Sequence, residues 1–156
     1  MIAVVTGSNK GIGFSIAEGL VFSKMISRVI LACRNSELAE QAAQELRSKY
    51  TESTATVECM TLDISSAASI ESFIQALGAA CPEGVDLLIN NAATAFKGSD
   101  PTPFAQQARP TINTNYTGTV LLTSQVRKPL STFNFQSVEI GLYLYIVSCL
   151  SYLSQC

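Results

Sequence analysis

Residues 6 to 13 read Thr-Gly-Ser-Asn-Lys-Gly-Ile-Gly, directly after the apolar run Ile2-Ala3-Val4-Val5. Residue types in this order can hold a phosphate. A buried strand enters a glycine-rich turn, and an apolar helical pattern starts at once with Phe14-Ser15-Ile16-Ala17. The N–H groups at a helix N-terminus point outward, and the helix dipole favours an anion there. Gly7, Gly11 and Gly13 permit a tight turn, close approach of a pyrophosphate and close helix–strand packing. Ser8, Asn9, Lys10 and Ile12 complete the turn. The spacing is G-x-x-x-G-x-G, so the commoner G-x-G-x-x-G dinucleotide fingerprint is not matched to the letter.

Two cations bear on the same ligand. The second apolar run ends Ala32-Cys33-Arg34-Asn35. An acid at the position of Arg34 would bind a ribose 2′-hydroxyl, whereas a guanidinium there and an ammonium at Lys10 can clamp a 2′-phosphate. Either residue taken singly reads as a solvated loop charge; the two at matched positions predict the clamp. Asp63 closes the third run, and Asn90 and Asn91 close the fourth. Asp63 reads equally as a cap for the helix that follows or as an acceptor for an adenine amino group, and the two roles are compatible. Asn90 and Asn91 read as ordinary polar strand ends, or as residues that reach a ribose and tie their strand to its neighbours.

At this spacing the glycine turn resembles that of the short-chain dehydrogenases/reductases. Leu62-Asp63-Ile64 is similar to the family's adenine-contacting strand end, and Asn90-Asn91-Ala92-Ala93 to its Asn-Asn-Ala-Gly motif. The stretches Ala95-Phe96-Lys97, Asp100-Pro101-Thr102-Pro103-Phe104 and Asn113-Thr114-Asn115-Tyr116-Thr117-Gly118-Thr119 resemble the NADPH-dependent carbonyl reductases within it. The resemblance spans roughly residues 1 to 130 and comprises several motifs in order. It implies NADPH as cofactor, held by residues 7–13, Arg34, Asp63, Ile64, Asn90, Asn91 and Ala92. It implies hydride transfer to a ketone, aldehyde or quinone, with Phe96, Lys97, Gly98 and Gln107 lining the substrate entrance. Loop packing is the plainer role for those four. Ala93 stands where the motif has glycine, so the backbone there must avoid positive φ.

Family catalysis uses a tyrosine as proton donor, a lysine four residues on that lowers its pKa, a polarising serine and an asparagine that holds the proton relay. Asn115 matches the asparagine. The lysines are Lys10, Lys24, Lys49, Lys97 and Lys128, and the residues four before them are Thr6, Leu20, Glu45, Ala93 and Ser124. None is tyrosine. Tyr143, Tyr145 and Tyr152 have no Lys or Arg after residue 128 to pair with, and nothing around Ser137 or Ser148 matches the family's serine. Loss of a positioned general acid typically costs ~10²–10⁴ in rate. The expectation is a chain of reductase type with impaired chemistry. The alternatives are a non-catalytic module that binds nucleotide or a partner, and an unstable truncated product.

The elements that must position these residues alternate strand and helix. Strands are expected at 2–5, 28–33, 55–62 and 85–90. Helices are expected from about Ile12 to Lys24, from near Ser36 with Leu38, Ala42, Ala43 and Leu46 on its apolar face, and after a Ser65 or Ser66 cap with Ile70, Phe73, Ile74 and Leu77 inward. Two further helices are expected around 104–108 and 112–128. Parallel strands with right-handed crossovers give an α/β doubly wound (Rossmann) sheet with helices on both faces. The expected order is 3-2-1-4, with any fifth strand beside the fourth and the C-terminal side incomplete. Ligands bind such a sheet past the carboxyl ends, between strands one and four, where the glycine turn and Asn90-Asn91 lie.

The chain has 156 residues, 47% hydrophobic and only 14% charged, with a net charge of −2. That balance gives no reason to expect nucleic acid or an anionic membrane as partner. Five cysteines with no C-x-x-C and no histidine argue against a metal site and for free thiols in a reducing, cytoplasmic setting. The division expected is a nucleotide-binding domain over 1–130 and a divergent apolar tail over 131–156. Residues 140–153 carry no charge, but fall short of the ~20 apolar residues of a membrane span. Val138 to Val147 could add a fifth strand as an uncovered edge, leaving either a monomer or self-association through that edge. The expected ligand besides the cofactor is a small-molecule carbonyl compound.

Overall fold

The computed structural model describes residues 1–23, 25–127 and 136–139. Short apolar runs that bury both faces are what the middle of a parallel sheet demands, and β1 (Ile2–Thr6), β2 (Arg28–Cys33) and β4 (Leu87–Asn90) supply them, while the more polar β3 (Thr56–Thr61) and β5 (Gln136–Glu139) take the outer places. The order is β3-β2-β1-β4-β5, every pairing parallel. The expected doubly wound architecture is present.

Alternate residues of each strand face opposite layers. Ala3, Val5, Val29, Leu31 and Ile89 pack with Ala17 and Val21 of α1 (Gly11–Phe22) and with Ala39, Ala42, Ala43 and Leu46 of α2 (Ser36–Lys49). Val4, Ile30, Ala32 and Leu88 pack with Ile70, Phe73 and Leu77 of α3 (Ala67–Ala80) and with Leu122 and Val126 of α5 (Thr119–Arg127). Each fully buried Val, Leu, Ile or Phe among them contributes about 1.5–3 kcal/mol. The two layers hold the sheet rigid below its carboxyl edge.

Several boundaries differ from expectation for visible reasons. Leu38 is 44% exposed, and Ala39 takes the inward place: the buried stripe is 39, 42, 43, 46, and Leu38 lies in the first turn, where its N–H bonds the capping Asn35 Oδ1 at 2.9 Å. Of the two caps expected for α3, Ser66 takes the place, accepting from Ser69 N, as expected. β4 begins two residues late, because Asp86 Oδ2 takes the Ile2 N–H at 2.6 Å before the ladder starts. The two separate helices expected at 104–108 and 112–128 are one continuous rod: α4 (Phe104–Ile112), a π-helical segment (Asn113–Gly118) and α5. Pro110 lies inside α4, where it removes one helical hydrogen bond without ending the rod. β5 shares only Val138 and Glu139 with the strand expected at 138–147; residues 140–147 lie outside the described residues. Among the described residues no helix is long and apolar enough to cross a membrane.

Candidate functional site

The carboxyl ends of β1 and β4 meet through Thr6. Its Oγ1 accepts from the backbone N–H groups of Asn91 at 3.0 Å and Ala92 at 2.9 Å, and it lies 1% exposed. Its own proton goes to the Ile89 carbonyl at 3.4 Å. Asn91 answers from the other side: Nδ2 donates to the Thr6 and Gly7 carbonyls at 2.9 and 3.1 Å. Asn91 therefore ties strands together, and its backbone and that of Ala92 line the turn.

The glycine turn is shaped by this contact. Gly7 has φ +63, and a Cβ on it would stand 2.9 Å from Ala92 Cα. A Cβ on Gly13 would collide with Asn91 Nδ2 and meet the Gly7 carbonyl oxygen at 2.5 Å. These two positions fix the close seating of α1 on the strand ends. Lys10 precedes α1 in extended conformation and no side chain caps the helix. The amides of Gly11, Ile12 and Gly13 have no helical acceptor of their own and open to the carboxyl edge. The Ile12 side chain is 69% exposed beside them. Ser8 turns inward, donating to the Val5 carbonyl at 2.8 Å with Cys33 Sγ at 3.6 Å, so only its backbone faces the turn. Asn9 is half-buried and Lys10 exposed.

Arg34 is exposed immediately past β2, whose Ala32 carbonyl accepts from Gly7 N at 2.8 Å. Arg34 and Lys10 thus flank the turn from adjacent strand ends. Asp63 lies at the end of β3. Its Oδ1 accepts from Ser65 Oγ at 2.6 Å and Ser65 N at 2.9 Å. The Ser65 hydroxyl, aided by the Ser65 amide and the charge of Arg34 and opposed by partial burial, holds its carboxyl below the usual aspartate value. Asp63 closes the turn ahead of α3 through Oδ1, and no described residue donates to Oδ2. Ile64 is buried beneath it, and its carbonyl lies so close to Gly118 that a Cβ there would collide with it.

Asn115 is 6% exposed in the π segment and grips Thr94 twice: Oδ1 accepts from Thr94 N at 2.8 Å, and Nδ2 donates to Thr94 O at 2.9 Å. Asn113 Nδ2 donates to Ser65 O at 3.0 Å. The π segment joins the loops after β3 and β4, a placement typical of such bulges at functional sites. Asn90 Nδ2 donates to Thr123 Oγ1 on α5 at 3.0 Å. Ala93 adopts no positive φ, as its Cβ requires.

The entrance residues are less convergent. Phe96 is half-buried, and Lys97 and Gly98 are exposed. Gln107 spends Nε2 on Thr102 O at 2.6 Å, pinning the loop that Asp100 organises by accepting from Thr102 N at 2.9 Å. A groove of about 550 Å³ lined by Phe22, Lys49 and Tyr50 lies at the opposite end of the sheet, at the carboxyl ends of α1 and α2, far from these groups. Among the described residues no cluster of His, Cys, Asp and Glu could hold a metal ion. Thr6, Thr94 and Thr123 are the site residues that sequence reasoning missed. The signal for Thr6 was a hydroxyl at the last place of an otherwise apolar strand.

The site is therefore an anion cradle at the α1 N-terminus, two cations toward β2 and amide side chains toward β4. Gly7 and Gly13 let the turn pack directly on Ala92 and Asn91, and the space over Gly11 is open, which together with the uncapped helix N-terminus fits the pyrophosphate of a dinucleotide laid across the strand ends. A family model described as short chain dehydrogenase matches residues 1–137. Carbonyl reductase [NADPH] 1 of Mus musculus is 40% identical over 122 residues, covering 76% of this chain and 40% of that protein. Among solved structures, the menthone neomenthol reductase of Mentha piperita superposes with a TM-score of 0.74 at 27% identity, over 88% of this chain and 59% of that one. The putative carbonyl reductase Sniffer of Caenorhabditis elegans gives 0.64 at 31%, over 80% and 51%.

Proposed function

The chain belongs to the short chain dehydrogenase family, and we propose that residues 1–127 form the NADPH-binding part of a carbonyl reductase-like oxidoreductase. The observation that carries this reading is the uncapped α1 N-terminus over the Gly7–Gly13 floor, flanked by Arg34 and Lys10. The amides of residues 11–13 hold the pyrophosphate. Arg34 and Lys10 hold the 2′-phosphate, and Asp63 accepts from the adenine. Asn90 and the Asn91–Ala92 backbone meet the other ribose. Bound there, the cofactor supplies hydride to a ketone, aldehyde or quinone carbonyl. The name of the mouse relative supports both cofactor and reaction class.

The chain spans about 40% of the length of the curated relatives it matches, and its 156 residues contain no Tyr-x-x-x-Lys. Asn115 is the one member of the catalytic set that this sequence supplies, and its amide is engaged with Thr94. We therefore propose that this polypeptide by itself binds NADPH and turns over carbonyls poorly or not at all. Purified chain mixed with NADPH and a quinone should show no oxidation above background; robust turnover by pure protein would contradict this. Fluorescence titration with NADPH and NADH tests the binding itself. NADPH should bind more tightly, and Arg34→Asp should weaken it by about 10–100-fold, the value of a charge-assisted contact. Equal affinity for both cofactors, unmoved by Arg34→Asp, would remove the basis of the reading. The setting we propose is the reducing cytoplasm, where Cys33, Cys59 and Cys81 stay free thiols.

A further inference from the structure

Asn90 ends β4, 6% exposed, and its orientation is decided by one hydroxyl. Thr123 Oγ1 donates its only proton to the Thr119 carbonyl at 2.8 Å, one turn back on α5. It can therefore face Asn90 only as an acceptor, and the partner it meets at 3.0 Å is Nδ2. A flipped amide would set two acceptors against each other. The consequence is that Oδ1 is left as an acceptor to which no described residue donates.

The layout of the strand ends says what Oδ1 is for. In the order β3-β2-β1-β4, the 2′-phosphate cation Arg34 stands on β2 and the pyrophosphate cradle on β1. A dinucleotide running outward from them places its second ribose, the one that carries nicotinamide, over the end of β4. Resting on the nucleotide reading above, we propose that Thr123 is a positioning residue for the nicotinamide half of the cofactor: it fixes Asn90 with Oδ1 presented as acceptor to a hydroxyl of the nicotinamide ribose. Thr123 touches neither cofactor nor substrate, and acts through Asn90 alone. A plain structural role, pinning β4 to α5, would give the same contact.

Two ligands separate these roles. NADPH carries the nicotinamide ribose; adenosine 2′,5′-bisphosphate carries the 2′-phosphate half without it. Thr123→Val should weaken NADPH by about threefold to tenfold while moving the bisphosphate by less than about twofold, and Thr123→Ser should keep both, since one ligand hydrogen bond is at stake. Equal loss of both ligands, or no loss of NADPH, overturns the inference. Should the valine variant not fold, Thr123→Cys keeps the size with a weaker acceptor. A smaller loss confined to NADPH then supports the inference, and unchanged NADPH binding overturns it. A wild-type chain that takes neither ligand overturns the nucleotide reading and this inference together, which the bisphosphate control distinguishes from a failure at Thr123 alone.

Discussion

At the residue scale, small hydroxyl side chains assemble the site. Thr6 satisfies two amides that would otherwise be stranded where β4 leaves the sheet. Thr6→Val keeps the shape and removes the acceptor, so it should cost about 1–3 kcal/mol in urea denaturation, with Thr6→Ser close to wild type. Asp63 gives a pH dependence with a definite sign. Its carboxyl is held below its ordinary value chiefly by the Ser65 hydroxyl, so the folded chain binds fewer protons there than the unfolded chain. The stabilisation is fully present above about pH 4 and is lost as pH falls below it through the folded value. Stability measured from pH 6 down to pH 3 should fall more steeply for the wild type than for Asp63→Asn; parallel curves would show that Asp63 contributes nothing. The glycines were legible in the sequence because each meets a local backbone requirement. The partners were not: Asn115 and Thr94 are 21 residues apart, and Thr123 is 33 residues from Asn90, separations that no local pattern encodes.

At the element scale, the rod from Phe104 to Arg127 positions the β4 side of the site. The sequence suggested two helices, around 104–108 and 112–128, on either side of Pro110. The structure keeps one rod and absorbs the irregularity in the π segment. That segment seats Asn113 on the Ser65 carbonyl and Asn115 on Thr94, and its end lies so close to the Ile64 carbonyl that only glycine fits at 118. Gly118→Ala should therefore destabilise the fold by about 1–3 kcal/mol or more, as overpacking does, although alanine is the better helix former. A thermal midpoint equal to or above that of the wild type would contradict the close approach. β1–β4, α2 and α3 were legible from their apolar runs and stripes, and α1 from the glycine turn that it follows, since apolar residues lie all round it. The π segment was not, because its register is set by the loops it contacts.

At the scale of the whole molecule, two apolar layers support a sheet whose carboxyl edge gathers every group assigned to the cofactor. The doubly wound order followed from the alternation of short apolar runs with helical patterns. The charge-free stretch 140–153 lies outside the described residues. The sequence leaves a monomer and self-association through the sheet edge as the two expected states, and sedimentation at rising concentration separates them. The central claim is that the cradle on β1, and not the groove at the far end of the sheet, takes the nucleotide. Hydrogen exchange of the purified chain with and without NADPH tests it most directly. Protection should rise over residues 7–13, 33–35, 63–65 and 90–92 and stay unchanged around Phe22 and Tyr50. Protection centred on Phe22 and Tyr50, or no change along the chain, would contradict the account.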